Sequence, residues 1–194
     1  MNENVNINDL LSDFMQERKV PMANDAASAG LFLGVGLGII GLIDGFVMGS
    51  IVASFILNVF AWILFVLVLQ MALRARVIKR GKPVLDMVEA WGYTVLVSFF
   101  AGIIFGLVRY IVFRYIAHDF FAELYDSVIQ SIREVEAAQN VGTILTPEML
   151  SVMDRLWNAP VTWFVGGLVN VVFTGALVGL VISAVGRRNP LTMR

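Results

Sequence analysis

Apolar positions along the chain fall into four long runs, at about 27–48, 51–73, 88–113 and 161–185, broken by short polar segments. The hydrocarbon core of a bilayer is about 30 Å thick and takes about 20 helical residues to cross. Each run therefore predicts a transmembrane helix. Two other stretches alternate apolar and polar residues with a helical repeat instead. In NVNINDLLSDFMQERK, Ile7, Leu10, Leu11, Phe14 and Met15 line one side of an amphipathic helix. In AHDFFAELYDSVIQSIREVEAAQ, Phe120, Leu124, Val128 and Ile132 do the same, widened by Phe121, Tyr125 and Ile129. Asn140-Val-Gly-Thr ends that helix. Thr146 then reads as an N-cap with Pro147 at the first helical position, opening a short second helix to Trp157 before Asn158-Ala159-Pro160 breaks the chain again.

The expected architecture is all-α: an integral membrane four-helix bundle with an extracytoplasmic helical hairpin between spans 3 and 4. It divides into a cytoplasmic amphipathic segment (1–26), a four-span domain (27–186) containing the insert (114–160), and a basic tail (187–194). Composition agrees with this pattern. Of 194 residues, 58% are hydrophobic and only 15% charged, where a soluble domain carries about 25%. No signal peptide is expected, since the first apolar run follows a mostly acidic segment and lacks a small-residue cleavage pattern.

Charge sets the expected orientation. RARVIKRGK (Arg74 to Lys82) holds five basic residues and no acid, and the tail RRNPLTMR holds three. Both should face the cytoplasm. The insert, with seven carboxylates against two arginines over 117–159, should lie outside. This predicts a multi-pass protein of the bacterial inner membrane with cytoplasmic N- and C-termini.

The first span is rich in glycine. Gly30, Gly34 and Gly38 are four apart, as are Gly41, Gly45 and Gly49. Such spacing lets a neighbouring backbone approach closely, which matters in lipid because apolar tails supply little drive for helix association. The neighbour is expected within the chain, and self-association through the same face is the alternative. Gly36-x-Gly38-x-x-Gly41 matches a dinucleotide fingerprint only by this spacing. It lacks the strand before and the helix opening after that the motif needs.

Two charges lie inside the spans at similar depth, Asp44 in the first and Arg109 in the third. Intramembrane charges usually face the bundle interior, so the two are expected to face each other. They would form either a structural pair or a functional, proton-linked one, unless each snorkels alone to the interface. Asn58 and Asn170 are expected to hydrogen-bond between helices. Glu89 should reach the cytoplasmic interface.

Little here suggests an enzyme. The one histidine, His118, has Asp119 and Glu123 nearby but no ligand at i+4. Zincin, nucleophile-elbow, P-loop and cysteine motifs are missing. No metal, no cofactor and no nucleic acid are expected. The expected partners are the lipid bilayer and a membrane or cytoplasmic protein. The acidic polar side of the N-terminal helix (Glu3, Asp9, Asp13, Glu17) suits a protein better than anionic lipid.

The stretch GKPVLDMVEAWGYTVLVSFFAGIIFGLVRYIVF, the acidic insert and the ending GLVISAVGRRNP resemble a bacterial membrane family known as domain-of-unknown-function family 4199. The resemblance spans most of residues 27–190, and it implies the four-span layout but no catalytic residues. It also implies a setting in envelope glycan or polyprenyl-phosphate sugar assembly. Together these readings predict a non-catalytic membrane subunit or scaffold that packs with or recruits a partner. The alternative is a small transporter or flippase-like protein with Asp44 and Arg109 in the route.

Overall fold

The computed structural model describes residues 22–47, 49–80, 85–139 and 146–188. The N-terminal stripe of Ile7, Leu10, Leu11, Phe14 and Met15 lies outside the described residues. Helix α1 is Met22–Val47, α2 Ile51–Arg80 and α3 Met87–Ile111. After α3 come a π-helical turn (Val112–Ile116), α4 His118–Gln139, α5 Pro147–Asn158 and α6 Pro160–Arg188. Four helical stretches are long and apolar enough to span a membrane: Met22–Val47, Ile51–Lys79, Met87–Ile116 and Val161–Ala184. The chain is an all-α membrane bundle. In a bilayer each backbone group must find its partner within the span, so even a glycine-rich run such as α1 stays helical.

The spans run antiparallel in sequence order. The α1–α2 turn and the α4–α5 insert share one end of the bundle, here the insert end. The start of α1, the end of α2, the start of α3 and the end of α6 share the other, the terminal end.

Helix α3 is the hub. It packs extensively on α1 and on α6, while α2 rests mainly on α1 and barely touches α6. Glycine explains the tight side. A Cβ at Gly30 would come within 2.6 Å of Val97 O, and one at Gly34 within 2.9 Å of Ala101 O, both on α3. Gly38, Gly41 and Gly45 face Val108, Phe105 and Val112. The first-span glycines are thus occupied within the chain, except Gly49, which sits in the α1–α2 turn with nothing near it. A second small-residue seam was not singled out in the sequence. Gly102 and Gly106 of α3 meet the backbone of Leu168 and Phe164, and Gly175 and Gly179 of α6 lie on Ser98 and Thr94.

Two boundaries differ from the sequence expectation. Helix α2 does not end at Leu73. It continues to Arg80, so most of the basic stretch expected as a turn is helix. Its buried stripe of Leu69, Ala72, Leu73, Arg76 and Val77 keeps the helical repeat through the arginine. Helix α1 likewise begins before residue 27, and its first turn carries Asp25. The two extensions hold each other through an ion pair described below.

Thr146 Oγ1 accepts from Met149 N–H at 3.2 Å with Pro147 behind it, as the spacing predicts. The two insert helices do not cover each other's apolar stripes, however. They meet at Tyr125 and Trp157, whose rings are 5.3 Å apart. Phe120, Leu124 and Val128 on one helix, and Met149, Val152 and Leu156 on the other, stay exposed. What holds the insert is an aromatic cluster at its base. Phe113 stacks on Trp163 at 4.3 Å, Phe121 and Trp157 flank Trp163, and Trp163 Nε1 donates to Trp157 O at 2.9 Å.

Candidate functional site

Because α2 and α6 part near the insert end, a groove opens between them. Helices α1 and α3 form its floor. Its cavity is about 350 Å³. Asp44, Arg109, Asn58, Asn170 and Thr174 all line it, among apolar residues such as Trp62 and Phe105. The sequence-singled polar residues of four different spans therefore share one groove.

Asp44 and Arg109 come to the same cavity without closing into an ion pair. Among the described residues no N···O separation within 4.0 Å joins them, although Asp44 is the charge that acts on Arg109 through space. Asp44 Oδ1 is buried and accepts no hydrogen bond. A Cβ at Gly167 of α6 would approach Arg109 Cγ at 3.2 Å. That glycine lets the arginine stem lie close along α6. The α-helix of α3 gives way to the wider π turn just after Arg109, and such local widenings recur near functional sites.

The two asparagines do not bridge helices. Asn58 Nδ2 donates to Ser54 O at 3.0 Å, and Asn170 Oδ1 accepts from Thr174 Oγ1 at 3.3 Å. Each bonds one turn away along its own helix, since α2 and α6 stand too far apart to meet. Their remaining polar atoms belong to the groove.

A second cavity of about 430 Å³ lies beside the first, under the insert. It shares Arg109 and Asn170 with the groove and adds Tyr125, Trp157, Thr162 and Trp163. The Trp157 indole N–H is buried and has no acceptor.

The terminal end holds a cluster that sequence reasoning missed. Arg76 is 1% exposed and pairs with Asp25 Oδ2 at 3.1 Å, with Glu89 Oε1 at 3.9 Å. Lys79 Nζ reaches Asp25 Oδ1 at 2.7 Å. The Arg76 guanidinium also lies 5.7 Å from the Tyr93 ring centroid, within cation–π range. Glu89 therefore turns into the bundle instead of simply reaching the interface. Carrying the apolar repeat of α2 past Leu73 would have placed Arg76 on its buried side.

His118 Nδ1 lies 3.4 Å from Asp119 Oδ1 and is half exposed. Among the described residues no group of three or more His, Cys, Asp or Glu side chains could hold a metal ion.

A membrane bundle with a polar lateral groove is the class the geometry defines. The family model described as protein of unknown function (DUF4199) matches residues 27–188, and the chain belongs to that family. No curated protein and no solved structure matches the chain.

Proposed function

We propose that the chain is a non-catalytic membrane subunit whose α2–α6 groove receives a transmembrane helix of a partner protein. The observation that carries this reading is Asp44 Oδ1, a buried acceptor with no donor, on the groove between α2 and α6. A buried acceptor left unmet costs about 1–3 kcal/mol, and a partner helix bearing a donor relieves that cost. Parted spans with polar side chains between them suit a slot that is filled by another helix. In this proposal the protein sits in the bacterial inner membrane with both termini cytoplasmic, as its basic segments favour. The acidic N-terminal segment, amphipathic by its sequence repeat, offers a second contact for a cytoplasmic protein. The envelope-glycan setting follows from the family resemblance alone.

The test is gentle extraction of the tagged protein and comparison with Asn170→Trp, which fills the groove from an exposed position. The proposal expects a stoichiometric membrane protein with the wild type and its loss from a still-folded variant. Equal recovery with both contradicts it. Deleting residues 1–19 tests the N-terminal contact separately, through loss of a cytoplasmic partner.

A second reading, transport of an amphiphile, draws support from one feature. Arg109 and Asn170 line both cavities, giving a polar track from beneath the insert into the groove. Against it, Leu33, Leu37, Phe65 and Leu69 are buried in one apolar cluster between the groove and the Asp25–Arg76 cluster, so the track stops inside the bundle. Flux lost in Asp44→Asn with stability kept would favour transport.

A further inference from the structure

We infer that the cavity beneath the insert is a binding site for the phosphate of an anionic membrane lipid in the leaflet at the insert end. This goes beyond the subunit reading, which concerns the neighbouring groove. The donors of this cavity point to an anionic ligand. Among the described residues the Arg109 guanidinium makes no hydrogen bond or ion pair, although Asp44 acts on it through space from the adjoining groove, and the Trp157 indole N–H is buried without an acceptor. The Thr162 and Tyr125 hydroxyls and the Asn170 amide complete the polar lining, and no carboxylate lines this cavity. An arginine and an indole are pure donors, and arginine is well matched to phosphate oxygens. A cavity whose own wall carries donors and no carboxylate favours an anion, with Asp44 reaching Arg109 only from the neighbouring groove. It offers no counter-charge to an ammonium headgroup, which would also meet the guanidinium.

Depth and shape indicate a lipid as the source. The site sits at the first turns of the α6 span, where Trp157 and Trp163 stand at the level that tryptophan takes at a membrane interface. Met153 and Leu156 of α5 give it an apolar rim. Gly166 leaves open space beside the lining, with nothing near a would-be Cβ. A headgroup can enter from the membrane plane while its chains remain in lipid.

Native mass spectrometry of the full chain, released from phosphatidylglycerol nanodiscs and from phosphatidylcholine nanodiscs, tests the inference. One retained phosphatidylglycerol per chain is expected, with phosphatidylcholine lost. Arg109→Gln should weaken retention at least about tenfold, because a charge-assisted contact disappears. Trp157→Phe keeps the ring, removes only the N–H and should weaken it about fivefold. This second variant guards against misfolding of the first, and Arg109→Lys should restore part of the retention. Trp157 does not line the groove, so Trp157→Phe should leave recovery of a partner helix unchanged. Failure of the lipid site and failure of the subunit reading are thereby distinguishable. A parallel arm adds inorganic phosphate. Equal retention of the two lipids, retention unmoved by Trp157→Phe and Arg109→Gln, or binding of free phosphate without lipid would overturn the inference.

Discussion

The two ends of the bundle treat membrane charge in opposite ways. At the terminal end Asp25, Arg76, Lys79 and Glu89 converge from three helices, and the arginine is closed off from solvent. At the insert end Asp44 and Arg109 share a cavity, yet no ion pair within 4.0 Å forms among the described residues. One arrangement spends its charges on holding helices together. The other keeps polar atoms available. Charge type does not separate them, since each end has a carboxylate and an arginine. Helix spacing does: α1, α2 and α3 are in contact around Arg76, whereas α2 and α6 part around Asp44.

This contrast predicts unequal responses to substitution. Arg76→Ala should have the largest effect. Removing one member of a buried pair typically costs about 3–5 kcal/mol, and thermal unfolding in detergent should show a marked loss. A variant as stable as the wild type would make the terminal cluster incidental. Gly106→Ala comes next. Its Cβ would meet Phe164 O at 2.6 Å, backbone that has little room to yield. Overpacking of this kind costs about 1–3 kcal/mol, while Gly49→Ala, in open space, should be near neutral in the same assay.

Smaller effects sharpen the picture at the insert end. Thr146→Ala removes the N-cap of α5 and should cost about 1 kcal/mol of local stability. Faster hydrogen exchange confined to residues 147–158 is the readout. Asp44→Asn should change unfolding least, by less than about 1 kcal/mol, because no closed pair is lost. A loss comparable to that of Arg76→Ala would erase the distinction between the two ends.

The four spans were legible because length and hydropathy are sufficient signals for them. The face of α1 was legible from its four-residue glycine spacing, but its partner was not. Spacing marks a smooth side without saying which helix meets it, and the seam of Gly102, Gly106, Gly175 and Gly179 shows the same four-residue spacing only in pairs, where the first span has runs of three. Asp44 and Arg109 stood out as charges in apolar runs. Their failure to close depends on how far α2 and α6 part, a tertiary quantity that no local pattern encodes. The same distance explains why Asn58 and Asn170 bond along their own helices. Arg76 was hidden by counting it among loop charges, although the repeat Leu69, Leu73, Arg76 runs on without a break. The π turn at Val112–Ile116 adds a residue to one turn and leaves no mark in composition.

If the α2–α6 groove is a slot for a partner, the exposed side of α2 outside that groove faces lipid. Site-specific photocrosslinking in native membranes tests it most directly, with the crosslinker placed at Asn170 in the groove and at Phe55 or Leu67, exposed positions outside its lining. One discrete protein adduct is expected from position 170 and only lipid adducts from 55 and 67. Lipid adducts alone from all three positions, or the same protein adduct from each, would contradict it.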